Sequence, residues 1–536
     1  MGIIDARAEP TGSSRHADIC VIGGGPAGTT VALELARAGT ATVLLVESGG
    51  WWPEPETEPL NTAELVGQPI TGAFNAPLST ESLRVRAFGG GTRHWGGYCH
   101  PLEPIDLEHR AYLSATGWPI SHAEIAAWYP AAHDRLLLGP YNYDPTSLAG
   151  MVGAQPPLDL GPNLTTAIVQ RRATRLGWED LPEIGAGPGI SLLYHANVTH
   201  LQLHPSGGHV VSATARTTTG VQIELTADRF VIATGGWETP RLLLSSNDVR
   251  PAGIGNDHDL VGRYYADHLG ISLALGLLVP APEDLSLYDV TGLPLTTATP
   301  SGTPTQVHAF GAIGLSETAR RDHDLPSVHV ELLLEPAGAL PEQATGASVS
   351  GLQDLLRASP GGAARTIATG RVFVEPVPRH DSRVRLSPST DLFGMPLAQV
   401  DWRVDPLDLA HLTSSMEIVA AGISAAGVGR LQAPFGAVGV IDNPVSGRVA
   451  GNVRVVPQTN TPANVLFETT YHHLGTTRMA DSATDGVTDP DGKVHGVDNL
   501  FVAGSSVFPT ATGYYPTLTI VALAFRLAHH LLEEST

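Results

Sequence analysis

Three features predict an α/β domain with a parallel sheet joined to an α+β domain with a mostly antiparallel one. The chain opens with an apolar run, Asp18 to Ile22, then a glycine-rich turn, an amphipathic stretch from about Pro26 to Ala38, and a second apolar run, Thr42 to Glu47. That is a strand, helix and strand in succession. Next, Phe230-Val231-Ile232-Ala233-Thr234-Gly235 reads as a buried strand ending in a turn, and Asn499 to Ala503, followed by a helical stretch from Thr517 to Glu533, returns the chain to the first sheet. Between about Leu269 and Val438, alternating runs such as Val328 to Leu334 and Arg371 to Val377 recur between Pro/Gly turns, as in an antiparallel sheet with crossing helices. A length of 536 residues exceeds one ordinary core. The first domain is therefore expected to be discontinuous, at 1–115, 189–268 and 445–536, with 116–188 and 269–444 forming the second.

The turn Gly23-Gly24-Gly25-Pro26-Ala27-Gly28 fits G-x-G-x-x-G, the dinucleotide-binding turn of a Rossmann-type fold. Gly23 permits the tight strand-to-helix turn, Gly25 lets a pyrophosphate approach the backbone, and Gly28 lets the helix pack on the strand. The helix N-terminus offers N–H groups and partial positive charge to the phosphates. Glu47, 19 residues beyond Gly28 at the end of the second strand, is placed to bind a ribose diol. From Trp51 to Gly187 the chain is rich in Pro, Gly and short helical patterns, and Phe88-Gly89-Gly90-Gly91-Thr92-Arg93-His94-Trp95-Gly96-Gly97 packs five glycines into ten residues. Bare backbone there approaches something flat, and Phe88 and Trp95 call for burial. With Ala233-Thr234-Gly235-Gly236 closing a later strand, the dinucleotide is expected to be FAD rather than NAD. Ser191 to Leu203 and His209 to Arg216 read as strands leading into that closing strand.

Composition narrows the partners. Net charge is −22, from 31 Lys and Arg against 53 Asp and Glu, which repels nucleic acid and anionic membrane. No apolar run reaches the roughly 18 to 20 residues of a membrane span, and Met1 to Ala17 is polar, so a cytoplasmic location is expected. Cys20 and Cys99 are the two cysteines, and no disulfide framework or metal site is implied.

Together with Pro101-Leu102-Glu103-Pro104, Gly117-Trp118-Pro119, Glu238-Thr239-Pro240-Arg241-Leu242, Val261-Gly262-Arg263-Tyr264, His472-His473-Leu474-Gly475-Thr476-Thr477-Arg478-Met479 and Asn499 to Ser506, these motifs run nearly end to end. In their order and number the chain resembles the glucose-methanol-choline (GMC) oxidoreductases, particularly the branch of pyranose 2-oxidases, glycoside 3-oxidases and aminoglycoside oxidases. The resemblance implies FAD and a substrate domain whose antiparallel sheet covers the flavin. It also implies a cofactor site that includes Gly90, Gly91, His94, Trp95, Val198, Gly235, Gly504, Ser505 and Thr517. His94 stands where pyranose 2-oxidases carry covalent flavin, but Arg93 precedes it where those enzymes have Thr, so it is expected as a flavin contact.

The first His of H-x-x-G-T, His472 here, is implied to take the substrate's hydroxyl proton while a hydride leaves carbon for flavin N5, and imidazole titrates in the range that suits this. His473 is the structural neighbour. The family's second catalytic position, an Asn or His before Pro-Thr, is Tyr515 in this chain, a phenol able to donate to an alkoxide or to serve as an aromatic wall. The expected partners are a small carbohydrate or amino-sugar substrate and oxygen or another electron acceptor. A cationic aminoglycoside would be drawn by acidic stretches such as Glu283-Asp284, Asp322 to Asp324 and Asp401 to Asp405. Competing classes are a lyase with redox-silent FAD and a non-catalytic scaffold.

Overall fold

The computed structural model describes residues 2–67, 79–115, 117–271, 276–279, 282–298, 304–335, 366–427, 430–432, 440–442, 454–456 and 468–534. The expected boundaries at 115/116 and 444/445 touch residues outside this set, as do the side chains of Glu283 and Asp284.

Among the described residues the first sheet runs Ile3–Asp5, Ile190–Tyr194, Val43–Val46, Ser13–Ile22, Gln222–Ile232, Val210–Arg216, Asn197–Leu203, with Leu500–Val502 beside the end of Gln222–Ile232. The pairs from Ile3–Asp5 across to Gln222–Ile232 are parallel, whereas Val210–Arg216 is antiparallel to both of its neighbours. Alternation along Ser13–Ile22 sends side chains to both faces. Ile19 and Val21 join Val31, Leu35, Phe501, Leu527 and Leu531 in one core, while Cys20 and Ile22 join Leu44, Phe230 and Ile232 in the other. Both faces of these strands are therefore dry, which is why they read as unbroken apolar runs rather than as alternating ones. The helices Pro26–Ala38 and Thr517–Glu533 contribute to the same core.

The second sheet is antiparallel at every described pairing: Arg430–Gln432, Gly276–Val279, Thr366–Val374, Val328–Glu335, Pro304–Leu315, Leu164–Arg171 and Tyr98–Cys99 in order, with Leu269–Ile271 and Leu293–Ala298 added at its sides. A smaller sheet joins Arg383–Thr390, Pro396–Asp401 and Ala63–Leu65. Thus Tyr98–Cys99 and Ala63–Leu65, both within 1–115, add strands outside the first sheet.

Several elements differ from the sequence expectation for identifiable reasons. The run Ser191 to Leu203 is two strands, because His195 adopts φ 59° and turns the chain between Ile190–Tyr194 and Asn197–Leu203. The strand expected at Arg371 to Val377 is Thr366–Val374, ending ahead of Pro376, whose missing N–H cannot serve a ladder. Leu164–Arg171, in a stretch expected to be turns and short helices, is a buried strand rich in β-branched residues.

Buried ion pairs fasten the connecting segments to the second sheet. Arg110 donates to both Glu375 oxygens at 2.6 and 2.7 Å, and Arg320 donates to Asp106 at 2.7 Å and Glu103 at 3.1 Å. Removing one partner from such a pair leaves an uncompensated buried charge, which is far more costly than losing the pair together.

The glycine turn is a tight joint between strand Ser13–Ile22 and helix Pro26–Ala38. Gly23 has φ 114°, and a Cβ on Gly28 would overlap the Gly23 carbonyl oxygen. Gly28→Ala is therefore expected to destabilise the protein by about 1–3 kcal/mol, measured as a lowered melting temperature, and an unchanged melting temperature would show that the helix has room to shift.

Candidate active site

A cavity of about 640 Å3 is lined from both large sheets. It gathers Gly23, Gly25, Glu47, Gly90, Gly91, His94, Trp95, Val198, Gly235, Gly504, Ser505, Thr517, His472 and Tyr515, residues up to 494 positions apart in sequence (517 − 23). Gly28 is set back from the wall, against Gly23.

The lining suits a dinucleotide bearing phosphate charge. Three helices, Pro26–Ala38, Gly235–Ser245 and Thr517–Glu533, begin on cavity residues Gly25, Thr234 and Pro516, and none has a side-chain cap. Their first-turn N–H groups and partial positive charges are available to an anion or a carbonyl. A Cβ on Gly91 would meet nothing within 4 Å, and one on Gly25 would meet only the Gly90 Cα at 3.9 Å, so these backbones border open space. The Glu47 carboxylate accepts from the Gly24 N–H at 2.9 Å and the Gly49 N–H at 2.7 Å, which aims it while leaving lone pairs for a diol. Trp237 and His473 line the cavity with their rings stacked at 4.3 Å, and His473 Nε2 is a buried nitrogen without a partner among the described residues. An unmet buried nitrogen of this kind is satisfied by a polar group entering the site. The residues present therefore fit FAD.

His472 is held by buried neighbours, Asp267 and His268, that the sequence motifs did not reveal. Buried Asp267 accepts from the Thr469 hydroxyl, the Thr470 hydroxyl at 2.7 Å, the Thr470 N–H at 3.2 Å and the His472 N–H at 3.1 Å. His472 Nδ1 lies 2.8 Å from His268 Nδ1 and 2.9 Å from the Thr470 hydroxyl oxygen, and His268 Nε2 lies 2.9 Å from the Thr512 carbonyl oxygen.

Proton counting fixes the tautomers. A carbonyl only accepts, so His268 Nε2 carries a proton. Burial holds the pKa of His268 down to about 4, so its ring is neutral near pH 7 and Nδ1 presents a lone pair. Thr470 has given its one proton to Asp267. Both neighbours of His472 Nδ1 are therefore acceptors, and Nδ1 carries the proton. In the neutral ring, Nε2 is left with a free lone pair. Burial, followed by the charges of His268, Arg371, His473 and His329, pushes the His472 pKa well below the ordinary value. Tyr471 and Thr512, beside these two histidines, have φ 66° and 61°, conformations that non-glycine residues hold only where the surroundings impose them.

Tyr515 stacks on Tyr98 at 4.9 Å and meets the His472 ring edge-on at 5.8 Å. Its hydroxyl donates to the buried carboxylate of Glu331. Its one proton is thus committed to Glu331, and donation to an alkoxide is not the bond it makes here. Burial, then Glu331, raises its pKa well above the ordinary value. His94 faces the cavity, 6.1 Å from the Tyr471 ring.

Neither Asp322 to Asp324 nor Asp401 to Asp405, two of the stretches expected to attract a cationic substrate, borders the described cavity. Asp322 to Asp324 are exposed, Asp401 pairs with Arg385 and Arg403, and Asp405 caps the helix Pro406–Ala425. The missed residues had a signal: Asp267-His268 is an adjacent acid and histidine, while Glu331 and Arg371 are charges flanked by apolar residues within strands.

Residues 378–524 match the family model for GMC oxidoreductase, and residues 18–253 match that for FAD dependent oxidoreductase. At 26% identity the chain is similar to 2-methyl-1,2-propanediol dehydrogenase of Mycolicibacterium austroafricanum (97% of this chain, 96% of that one). The same identity relates it to paromamine 6'-oxidase of Streptomyces fradiae (95% and 90%) and to C-glycoside 3-oxidase of Microbacterium trichothecenolyticum (97% and 97%). A formate oxidase structure superposes with TM-score 0.57 at 16% identity, over 98% of this chain and 99% of that one, a likeness of fold.

The proton chain makes His268 a positioning residue for His472. One neutral hydrogen bond is worth about 1.4 kcal/mol, so His268→Leu should slow flavin reduction roughly tenfold. His268→Asn, which keeps an acceptor, should restore most of that rate. Nitrogen NMR of His472 should report the Nδ1–H form in the wild type and a mixture in the Leu variant. An Nε2–H signal in the wild type would overturn the assignment.

Proposed function

We propose that this chain, which matches the family models for GMC oxidoreductase and FAD dependent oxidoreductase over residues 378–524 and 18–253, is an FAD-dependent enzyme that oxidises a hydroxyl of a sugar or glycoside to the carbonyl. Bound FAD would supply the hydride acceptor, and Gly23, Gly25, Glu47 and the three open helix N-termini would hold it. His472 Nε2 accepts the hydroxyl proton as the carbinol C–H electron pair departs as hydride and the C=O bond forms. Tyr98, Phe373 and Tyr515 give the cavity an aromatic wall on the side of His472. The observation that carries this reading is the lone pair on His472 Nε2, left by a proton chain that runs to the Thr512 carbonyl. Relatives named for a glycoside and an aminoglycoside support the substrate class.

An ammonium-bearing sugar is less well matched to the described lining. Of its two acids, Glu47 is aimed by backbone N–H groups and Glu238 is met by Arg84, Arg86 and Arg241.

Anaerobic addition of substrate from a panel of glycosides, sugar acids and amino sugars should bleach the visible flavin absorbance. No bleaching with any of them would sink the oxidation reading in favour of a redox-silent role. His472→Ala should cut the rate of reduction roughly 100-fold or more, and an unaffected rate would remove it as the base.

The lowered pKa of His472 keeps its base form populated to lower pH than an ordinary imidazole. With groups facing it at His268, Arg371, His473 and His329, kcat/KM should stay level as pH falls from 8 to 6.5 and decline only below that. An acid limb centred at or above 6.5 would contradict it.

A further inference from the structure

Arg371 is out of place in a chain where acids outnumber bases 53 to 31. The other two arginines of the cavity wall are paired, since Arg84 and Arg86 both meet Glu238. Of the deeply buried arginines, Arg110 pairs with Glu375, Arg241 with Asp391 and Arg320 with Asp106, while Arg478 donates to the Ala115 carbonyl oxygen. Among the described residues, Arg371 has no carboxylate within ion-pair distance, and its buried Nε reaches no acceptor. Acids are plentiful, so the missing partner is not a matter of supply. The nearest candidate, Glu331, stands directly across the ladder from Arg371, but it takes the Tyr515 hydroxyl and lies 3.5 Å from His329.

The side chain is also held in place. Arg371 and Phe373 alternate onto the cavity face of Thr366–Val374, and the guanidinium lies 4.6 Å above the Phe373 ring. Gly270 lies beside it, where a Cβ would stand 3.5 Å from Nη2, an ordinary packing distance. A guanidinium fixed on an aromatic face presents its outer N–H groups in a planar fork, the geometry that binds a carboxylate through two parallel hydrogen bonds. Desolvating such a cation without a counter-charge is costly, so its natural partner arrives with the ligand.

We propose that Arg371 is an anion-binding residue of the substrate cavity, and that the sugar oxidised at His472 carries a carboxylate, as in a uronic or aldonic acid. One unpartnered positive charge matches a monoanionic carboxylate better than a dianionic phosphate ester. The proposal rests on the reading of the substrate as a sugar and narrows it to sugar acids.

The test uses the FAD-loaded enzyme with methyl glucoside, the matching methyl glucuronide, and glucose 6-phosphate as the phosphate arm. Wild-type enzyme should favour the glucuronide over the glucoside in kcat/KM. At pH 8, where burial keeps His472 in its base form with or without the Arg371 charge, Arg371→Gln should lower the glucuronide value about 30-fold and change the glucoside value less than threefold, with Arg371→Lys between the two. Perturbation of the flavin spectrum by gluconate, which needs no turnover, should require at least tenfold more ligand in the Gln variant. Retained flavin and an unchanged melting temperature establish that each variant is folded. Equal losses on glucoside and glucuronide, or gluconate binding that ignores the substitution, would overturn the proposal while leaving sugar oxidation intact. A response confined to glucose 6-phosphate would replace the carboxylate with a phosphate. Failure of every sugar to reduce the flavin, with gluconate still bound through Arg371, would instead overturn the sugar-oxidation reading.

Discussion

A buried carboxylate, Asp267, organises the reacting end of the cavity. Taking a charge out of water is unfavourable, and burial alone drives the Asp267 pKa upward. Hydrogen bonds from Thr469, Thr470 and the His472 N–H oppose that drive, and in doing so draw 469–472 into one geometry. The Thr470 hydroxyl spends its proton on Asp267 and so becomes an acceptor for His472. The left-handed Tyr471, which an isolated chain would avoid, is tolerated because its neighbours on both sides are pinned. The position and tautomer of His472 both follow from this arrangement.

The electrostatics of the cavity run against those of the protein. A net charge of −22 describes the whole chain, whereas the cavity receives three uncapped helix N-termini and Arg84, Arg86 and Arg371. Its two acids are committed, one to backbone N–H groups and the other to arginines. Net charge sums over the surface and says nothing about where the field is focused. The acidic stretches Asp322 to Asp324 and Asp401 to Asp405, which suggested a cationic substrate, illustrate the difference, since their acids cap a helix, pair with arginine or face solvent.

Much of the first sheet was legible because its determinants are local. The strand, glycine turn and helix at 18–38 show the same order in sequence and in space, as does the helix Thr517–Glu533. Strand Leu164–Arg171 was missed, although Thr165, Thr166, Ile168 and Val169 favour a strand, because its pairing partners lie far along the chain at Pro304–Leu315 and Tyr98–Cys99. The break at His195 was missed because a single residue with positive φ leaves no mark on apolar periodicity.

At the site, the sequence by itself determined which residues could bind a dinucleotide and which histidine stands in a catalytic motif. Each of those properties belongs to a short segment whose spacing carries the chemistry. Only the tertiary structure decided the proton on His472, the bond made by Tyr515 and the isolation of Arg371. These depend on His268, Glu331 and the absence of a nearby described acid, contacts between residues tens to hundreds of positions apart. Hydrogen-bond direction and charge compensation are pairwise properties, and a pair exists only once folding has brought its two members within 3 to 4 Å of each other.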